Sequence, residues 1–175
     1  MDSHFRGNDI LCVAYKDVQG IINVRRNDKE INDFARIEEI IRQAKICRLG
    51  LCQNNRAYIV PMNFGYQDKT LYFHSAKKGK KVDIIKSNPG VCFEFEIDLG
   101  IVQTKEMGCN WSNRYQSVIG FGNAIIIDGI EQKRDALDIL MAQYSDQQFD
   151  YPFSSIENTL VFKVEIESIT GKQSI

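Results

Sequence analysis

Apolar residues recur at helical spacing in three stretches of the chain. The first stretch follows Asp33, which can cap a first turn, and predicts a helix over residues 33–45. A second, short helix is predicted from Gly79 to Ser87, because Asn88-Pro89 directly after it stops helical backbone. The apolar stripe of the third predicted helix consists of Leu137, Leu140, Met141 and Tyr144.

Other stretches alternate apolar and polar residues or are rich in β-branched and aromatic residues, as strands are. The predicted strands are Cys47–Cys52, Ala57–Tyr66, Thr70–Ala76, Val91–Ile97, Tyr115–Ile127 and a last run from Leu160. Pro61 cannot donate to a ladder, so its strand is predicted to be an edge, to be bulged or to be arranged around a ligand. About six strands with short connections, and three helices, predict an α+β protein built on an antiparallel barrel.

Two regions do not follow these patterns. Residues 1–23 show no repeating period and are interpreted as an N-terminal extension of a single domain over residues 24–175. Residues 98–114 are interpreted as a long polar connection carrying Trp111, and loops of this length in compact domains are functional or disordered. Trp111 could face a substrate or simply anchor this loop.

Composition excludes several classes of protein. The 175 residues suit one domain, and 22 Lys and Arg against 23 Asp and Glu leave a net charge of −1, which argues against nucleic-acid binding. No apolar run reaches the length of about 18 residues needed to cross a membrane. Five cysteines without a C-x-x-C pair and only two histidines argue against a disulfide framework and a metal site. A cytoplasmic location is predicted.

The densest unusual segment is Lys77-Lys78-Gly79-Lys80-Lys81, between a predicted strand and a predicted helix. A helix start offers unpaired N–H groups, a glycine lets an anion approach the backbone, and lysines add charge, so the segment suits a phosphate. The alternative is a solvated lysine cluster on a turn, because no glycine-rich phosphate fingerprint is present.

Four further residues were weighed as candidates for chemistry. Strand alternation places His74 on the face opposite Phe73. His74 is either a structural residue or a group that hydrogen-bonds a substrate or donates a proton to it. Cys109 lacks an identifiable base and is not expected to be a nucleophile. Gly120 and Gly122 interrupt a strand and indicate either a barrel kink or a close ligand contact.

Several separated motifs, in this order, are shared with one known family. They are Val60-Pro61-Met62-Asn63-Phe64-Gly65-Tyr66, Leu71-Tyr72-Phe73-His74-Ser75-Ala76, Gly79-Lys80-Lys81, Asn88-Pro89, Cys109-Asn110-Trp111-Ser112 and Ser117-Val118-Ile119-Gly120-Phe121-Gly122. The chain resembles the pyridoxamine phosphate oxidase-like flavoproteins, and among them most closely the nitroimidazole-resistance proteins, from about Arg25 to Ser174. Because chains of this kind commonly begin with Met-Arg-Arg, Val24-Arg25-Arg26 is expected to mark the native start.

The resemblance implies a six-stranded antiparallel split β-barrel with flanking helices, which binds FMN, or FAD, in clefts at the interface of a homodimer. It implies that the strand of Val60–Asn63, with an irregular ladder at Pro61, runs along the flavin ring. It also implies that Lys80 and Lys81 bind the phosphate. His74 would serve as the catalytic residue beside the flavin, and Trp111 would lie on the substrate side. The implied cofactor-binding residues are Val60, Pro61, Met62, Asn63, His74, Ser75, Lys80 and Lys81, with Gln116 and Ser117 closing the site from the partner subunit.

The implied function is a flavin-dependent oxidoreductase that reduces a small acceptor such as a nitro-aromatic, with NADH, NADPH or another donor. Oxidation of pyridoxamine phosphate is disfavoured, because residues 166–175 contain neither the arginine nor the tryptophan that holds that substrate in the oxidases. A non-catalytic flavin-binding or flavin-storing protein remains an alternative. So does a haem-binding split barrel with His74 as ligand.

Overall fold

The structure, a computed structural model, describes residues 26–105 and 107–175, so the predicted extension over residues 1–23 and the start at Val24 lie outside the described residues. Four α-helices are present: α1 (Phe34–Gln43), α2 (Lys80–Ser87), α3 (Ile130–Ala142) and α4 (Phe153–Asn158). The strands are β1 (Glu30–Ile31), β2 (Cys47–Gln53), β3 (Arg56–Met62), β4 (Gly65–Gln67), β5 (Thr70–Ala76), β6 (Gly90–Val102), β7 (Ser112–Ile127) and β8 (Thr159–Ser174).

All strand pairs are antiparallel, and the order across the sheet is β3-β2-β6-β7-β8-β5-β4, with β1 pairing to β8. The two outer strands, β3 and β4, are separated in the chain only by Asn63 and Phe64, so the sheet curls and brings these strands near each other without pairing them. This is an antiparallel split barrel with flanking helices, and the predicted fold class is confirmed. The described strands number eight because the run predicted from Ala57 to Tyr66 divides and β1 adds a two-residue pair.

Aromatic side chains fill the barrel. The largest fully buried side chains include Phe64, Phe73, Phe93, Phe95 and Phe162. The ring centroids of Phe64 and Phe95 lie 4.7 Å apart, and those of Phe73 and Phe162 lie 5.0 Å apart. These rings come from three strands, β5, β6 and β8, and from the β3–β4 connection, so the core holds the two sides of the barrel together.

The first and third predicted helices are both present, and Tyr144 of the predicted stripe lies two residues beyond the end of the third. The Asp33 carboxylate accepts the Ala35 N–H at 2.9 Å and caps α1. The buried residues of α3 are Lys133, Ala136 and Leu140, so only Leu140 of the predicted stripe is fully buried. The predicted third helix is present, and the sequence pattern did not reveal that Lys133 and Ala136 are buried beside Leu140.

The predicted polar connection over residues 98–114 is also wrong in extent. Strand β6 continues to Val102 and β7 begins at Ser112, with a register shift between Asp98 and Ile101. In the connection that remains, the indole N–H of Trp111 donates to the Thr104 carbonyl at 2.9 Å. Trp111 thus anchors this turn while half of its surface stays exposed.

Gly120 and Gly122 lie where β7 bends. A Cβ atom at Gly120 would lie 2.2 Å from the buried ring of Phe93, and one at Gly122 would lie 2.1 Å from the Glu165 carbonyl oxygen. The register against β8 shifts between Phe121 and Gly122. Of the two interpretations of these glycines, the structure supports the barrel kink.

Candidate functional site

Strand β3 offers a free edge. Its register against β2 runs without a shift from Met62 to Arg56, with Pro61 opposite Arg48. Of the three alternatives for this strand, the edge is therefore correct, and the irregular ladder expected at Pro61 is wrong. Because β3 is the outer strand, proline removes a donor that no ladder needs, and the backbone groups facing away from β2 stay available to a ligand.

The four predicted ring-binding residues of this region divide between the two faces of the edge. Val60 is half-buried and packs against the core, and Met62 is buried. Pro61 and Asn63 are exposed. A flat ligand lying along this edge would therefore meet the side chains of Pro61 and Asn63 and the backbone of the whole segment.

The start of α2 lies beside β3. The Lys80 ammonium nitrogen is 4.5 Å from the centroid of the Tyr58 ring, a cation–π distance, and Tyr58 belongs to β3. This contact connects the lysine segment to the free edge across the split of the barrel. No motif in the sequence singles out Tyr58, whose one signal is its alternation with Val60 and Met62.

The backbone at this helix start suits an anion. Gly79 has φ of +125°, a conformation that favours glycine, and open space lies where its Cβ would be. The N–H groups of Val82 and Asp83 already donate to the Gly79 carbonyl. The N–H groups of Lys80 and Lys81 belong to the first turn of the helix, before the first N–H group that bonds within it. They are therefore available to an anion, and the helix dipole adds to the attraction.

His74 and Ser75 lie on the strand that leads into this segment. His74 is exposed and lies opposite the fully buried Phe73, as strand alternation predicted. Partial burial and the positive charge of Lys81 lower the pKa of His74 below its ordinary value. Burial also lowers the pKa of Lys81. The Ser75 hydroxyl donates to the Ala76 carbonyl at 2.8 Å.

Gln116 and Ser117 lie at the other end of the barrel. Within one chain, His74 pairs with Val161 of β8, whereas Gln116 pairs with Gln173 of the same strand. Twelve residues of strand span about 40 Å. Gln116 is buried and its amide donates to the Gln173 side chain at 3.4 Å, so Ser117, on the opposite face, is the more accessible member of the pair. Within one chain, the sheet register therefore does not bring either residue beside His74.

The remaining features of the described residues lie apart from this site. Two clefts, of about 520 and 440 Å³, are lined by none of the predicted flavin-binding residues. No group of three or more His, Cys, Asp or Glu in residues 26–105 and 107–175 is arranged to hold a metal ion. Within the same ranges, every helix is too short or too polar to cross a membrane.

Solved structures with the same fold include one of substantial sequence identity. A proposed 5-nitroimidazole antibiotic resistance protein from Bacteroides thetaiotaomicron VPI-5482 is 39% identical, with a TM-score of 0.75 over 82% of this chain and 86% of that chain. The flavocytochrome Anf3 from Azotobacter vinelandii gives 17% identity and a TM-score of 0.77, over 87% of this chain and 72% of that chain. The FAD and heme binding protein from Mycobacterium smegmatis gives 18% identity and a TM-score of 0.76, over 83% of this chain and 73% of that chain.

The last two similarities show the fold alone. Comparison with proteins of curated function finds no match. The fold defines a split-barrel protein, and its open edge lies beside a basic helix start. The family model described as pyridoxamine 5'-phosphate oxidase matches residues 33–173, and the chain belongs to this family.

Proposed function

We propose that the protein binds one FMN per subunit and is a flavin-dependent oxidoreductase. The observation that carries the proposal is the start of α2, where Lys80 and Lys81 adjoin two unpaired N–H groups beside the free edge of β3. The phosphate would meet the lysines and these N–H groups, and the ring would lie along Val60–Asn63. FAD would fit the same surface if the cleft is open at the phosphate end.

Ligand release tests the cofactor directly. The purified protein, incubated with FMN and desalted, is denatured by heat, and the released molecule is identified by mass. We expect the mass of FMN at one equivalent per chain. Protein that neither carries nor takes up a flavin would overturn the proposal, whereas FAD would correct only the kind of flavin.

Bound flavin would supply hydride or single-electron transfer to a small acceptor. The chain's own part would be to hold the ring against the β3 edge and to place the His74 imidazole where its N–H can hydrogen-bond an acceptor or where the protonated ring can deliver a proton. A nitro-aromatic acceptor is supported by the 39% identity to the proposed 5-nitroimidazole resistance protein. The donor would be NADH, NADPH or another reductant.

A haem-binding split barrel is the second candidate, and a flavin-storing protein without turnover is the third. The exposed imidazole of His74, which could serve as a ligand, and the fold shared with a FAD and heme binding protein favour the haem alternative. One absorbance spectrum before and after adding NADH or NADPH separates them. Bleaching of flavin bands supports the reductase, a Soret band supports haem, and unchanged flavin bands support storage.

His74→Ala is expected to leave FMN bound and to slow reduction of a nitro-aromatic acceptor. The side chain is exposed and contributes no core packing, so the fold should tolerate its loss. Steady-state kinetics with flavin occupancy checked by absorbance measures the effect, and we expect a roughly ten- to hundredfold lower kcat, at the low end of general acid catalysis. His74→Gln, which keeps a donor without a titratable ring, serves as the matched control. Unchanged kinetics in both variants would assign His74 no role in turnover.

We expect a homodimer whose sites lie at the interface. Exposed apolar side chains project from the distal part of the β6–β7 hairpin, and a second subunit would cover them; they are Leu99, Ile101, Val102, Met107 and Trp111. Light scattering at micromolar concentration should give twice the mass of the chain. A monomer that still binds FMN tightly would contradict the shared site.

The proposed setting is the cytoplasm, without nucleic-acid or membrane partners. Support comes from the thiols of the described cysteines, which are unpaired, and from the balanced charge of the chain.

A further inference from the structure

The larger of the two clefts lies away from the β3 edge, between the ends of β7 and β8 and the start of α3. Its volume of about 520 Å³ is within the range of small-molecule sites. Part of its wall is apolar and is formed by Ile126, Ile127 and Leu160. The cleft could therefore accept a ligand with a small apolar body.

Three lysines line the same cleft. They are Lys77 and Lys86, which are exposed, and Lys133, which is only 7% exposed. The carboxylates of Asp128 and Glu157 also line the cleft, so the lysines exceed the acids by one. The net charge of the cleft is positive.

Lys133 has no counter-ion in the described part of the chain. Its ammonium donates one hydrogen bond, to the Thr159 carbonyl at 2.9 Å, and two of its three N–H donors remain. None of the ion pairs in residues 26–105 and 107–175 includes Lys133, Asp128 or Glu157. A buried charge without a partner is costly.

The position of Lys133 in its helix increases this cost. Lys133 is the fourth residue of α3, whose N-cap, Gly129, provides no side-chain hydrogen bond. A positive charge in a first turn opposes the helix dipole. A bound anion would neutralise the ammonium and lie favourably at the helix start.

We propose that this cleft binds a small organic anion, a carboxylate with a short apolar body, at a site separate from the flavin surface. The carboxylate would accept hydrogen bonds from Lys133 and charge support from Lys77 and Lys86, while the apolar body lies on Ile126, Ile127 and Leu160. Because Lys77 precedes Gly79 by two residues, the occupant would contact the same loop that leads into the phosphate-binding helix.

Calorimetric titration of the full chain with hexanoate tests the proposal, with hexanamide as the uncharged probe of matched size. We expect hexanoate to bind at least tenfold more tightly than hexanamide, as one charge-assisted hydrogen bond implies. Lys133→Met should weaken hexanoate at least tenfold. Lys77→Gln with Lys86→Gln, both at exposed positions, should weaken hexanoate binding several-fold. If the Lys133 variant does not fold, this double variant tests the proposal by itself.

Lys80→Gln with Lys81→Gln is the matched control, because it removes the same charge from the neighbouring proposed phosphate site. Hexanoate affinity should be unchanged in this control. Equal binding of hexanoate and hexanamide, no binding of either, or a loss confined to the Lys80 and Lys81 variant would overturn the proposal. None of these outcomes depends on whether the protein binds FMN.

Discussion

Replacing both Lys80 and Lys81 by alanine is expected to weaken FMN binding about a hundredfold or more. Each lysine is placed to make a charged hydrogen bond to phosphate, and such a bond contributes roughly 1.5–3 kcal/mol, about ten- to a hundredfold in affinity. Lys80 is held towards β3 by the Tyr58 ring at 4.5 Å, which reduces the entropy that phosphate binding costs. Titration of FMN followed by flavin fluorescence measures the change.

Two controls make this result specific to phosphate. Riboflavin lacks the phosphate, so its affinity should be the same in the wild-type protein and in the Lys80 and Lys81 variant. Lys77→Ala with Lys78→Ala removes equal charge from the same segment, and the Lys77 side chain lines the separate cleft. Equal, small losses of FMN affinity for the two pairs would show that these lysines are only a solvated cluster.

Gly122→Ala is expected to destabilise the fold by about 3 kcal/mol or more, at the upper end of overpacking effects. The new methyl group would lie 2.1 Å from the Glu165 carbonyl oxygen, and a backbone atom within a paired sheet cannot move aside without breaking the ladder. Thermal unfolding followed by circular dichroism should show a midpoint about 6–12 °C lower, from the scaling for domains of this size.

Gly108→Ala is the matched control. No heavy atom lies within 4 Å of the position a Cβ would take at Gly108, so the midpoint should change little. A similar loss at both glycines would mean that the close contact at Gly122 is not its cause, because the effect of Gly→Ala on the unfolded chain is stabilising. An unchanged midpoint in Gly122→Ala would contradict the close approach of β7 and β8.

Local sequence signals predicted the elements that face the core. The Asp33 cap and the spacing of Ile37, Ile40 and Ile41 specify α1, and the alternation in β6 correctly places Phe93 and Phe95 in the core. These signals are reliable because burial of one face imposes a period on the sequence. They fail beyond residue 97, where the hairpin of β6 and β7 leaves the core, since an exposed ladder requires no alternation.

The sequence by itself determined the fold class and the basic helix start, and it placed His74 opposite Phe73. Those properties depend on residues close together in the chain. Only the tertiary structure decided that Tyr58 supports Lys80, that Gln116 is buried, and that Lys133 lies in a cleft with Lys77. Each of these depends on contacts between elements distant in sequence. Such contacts impose no periodic pattern on the sequence of either element.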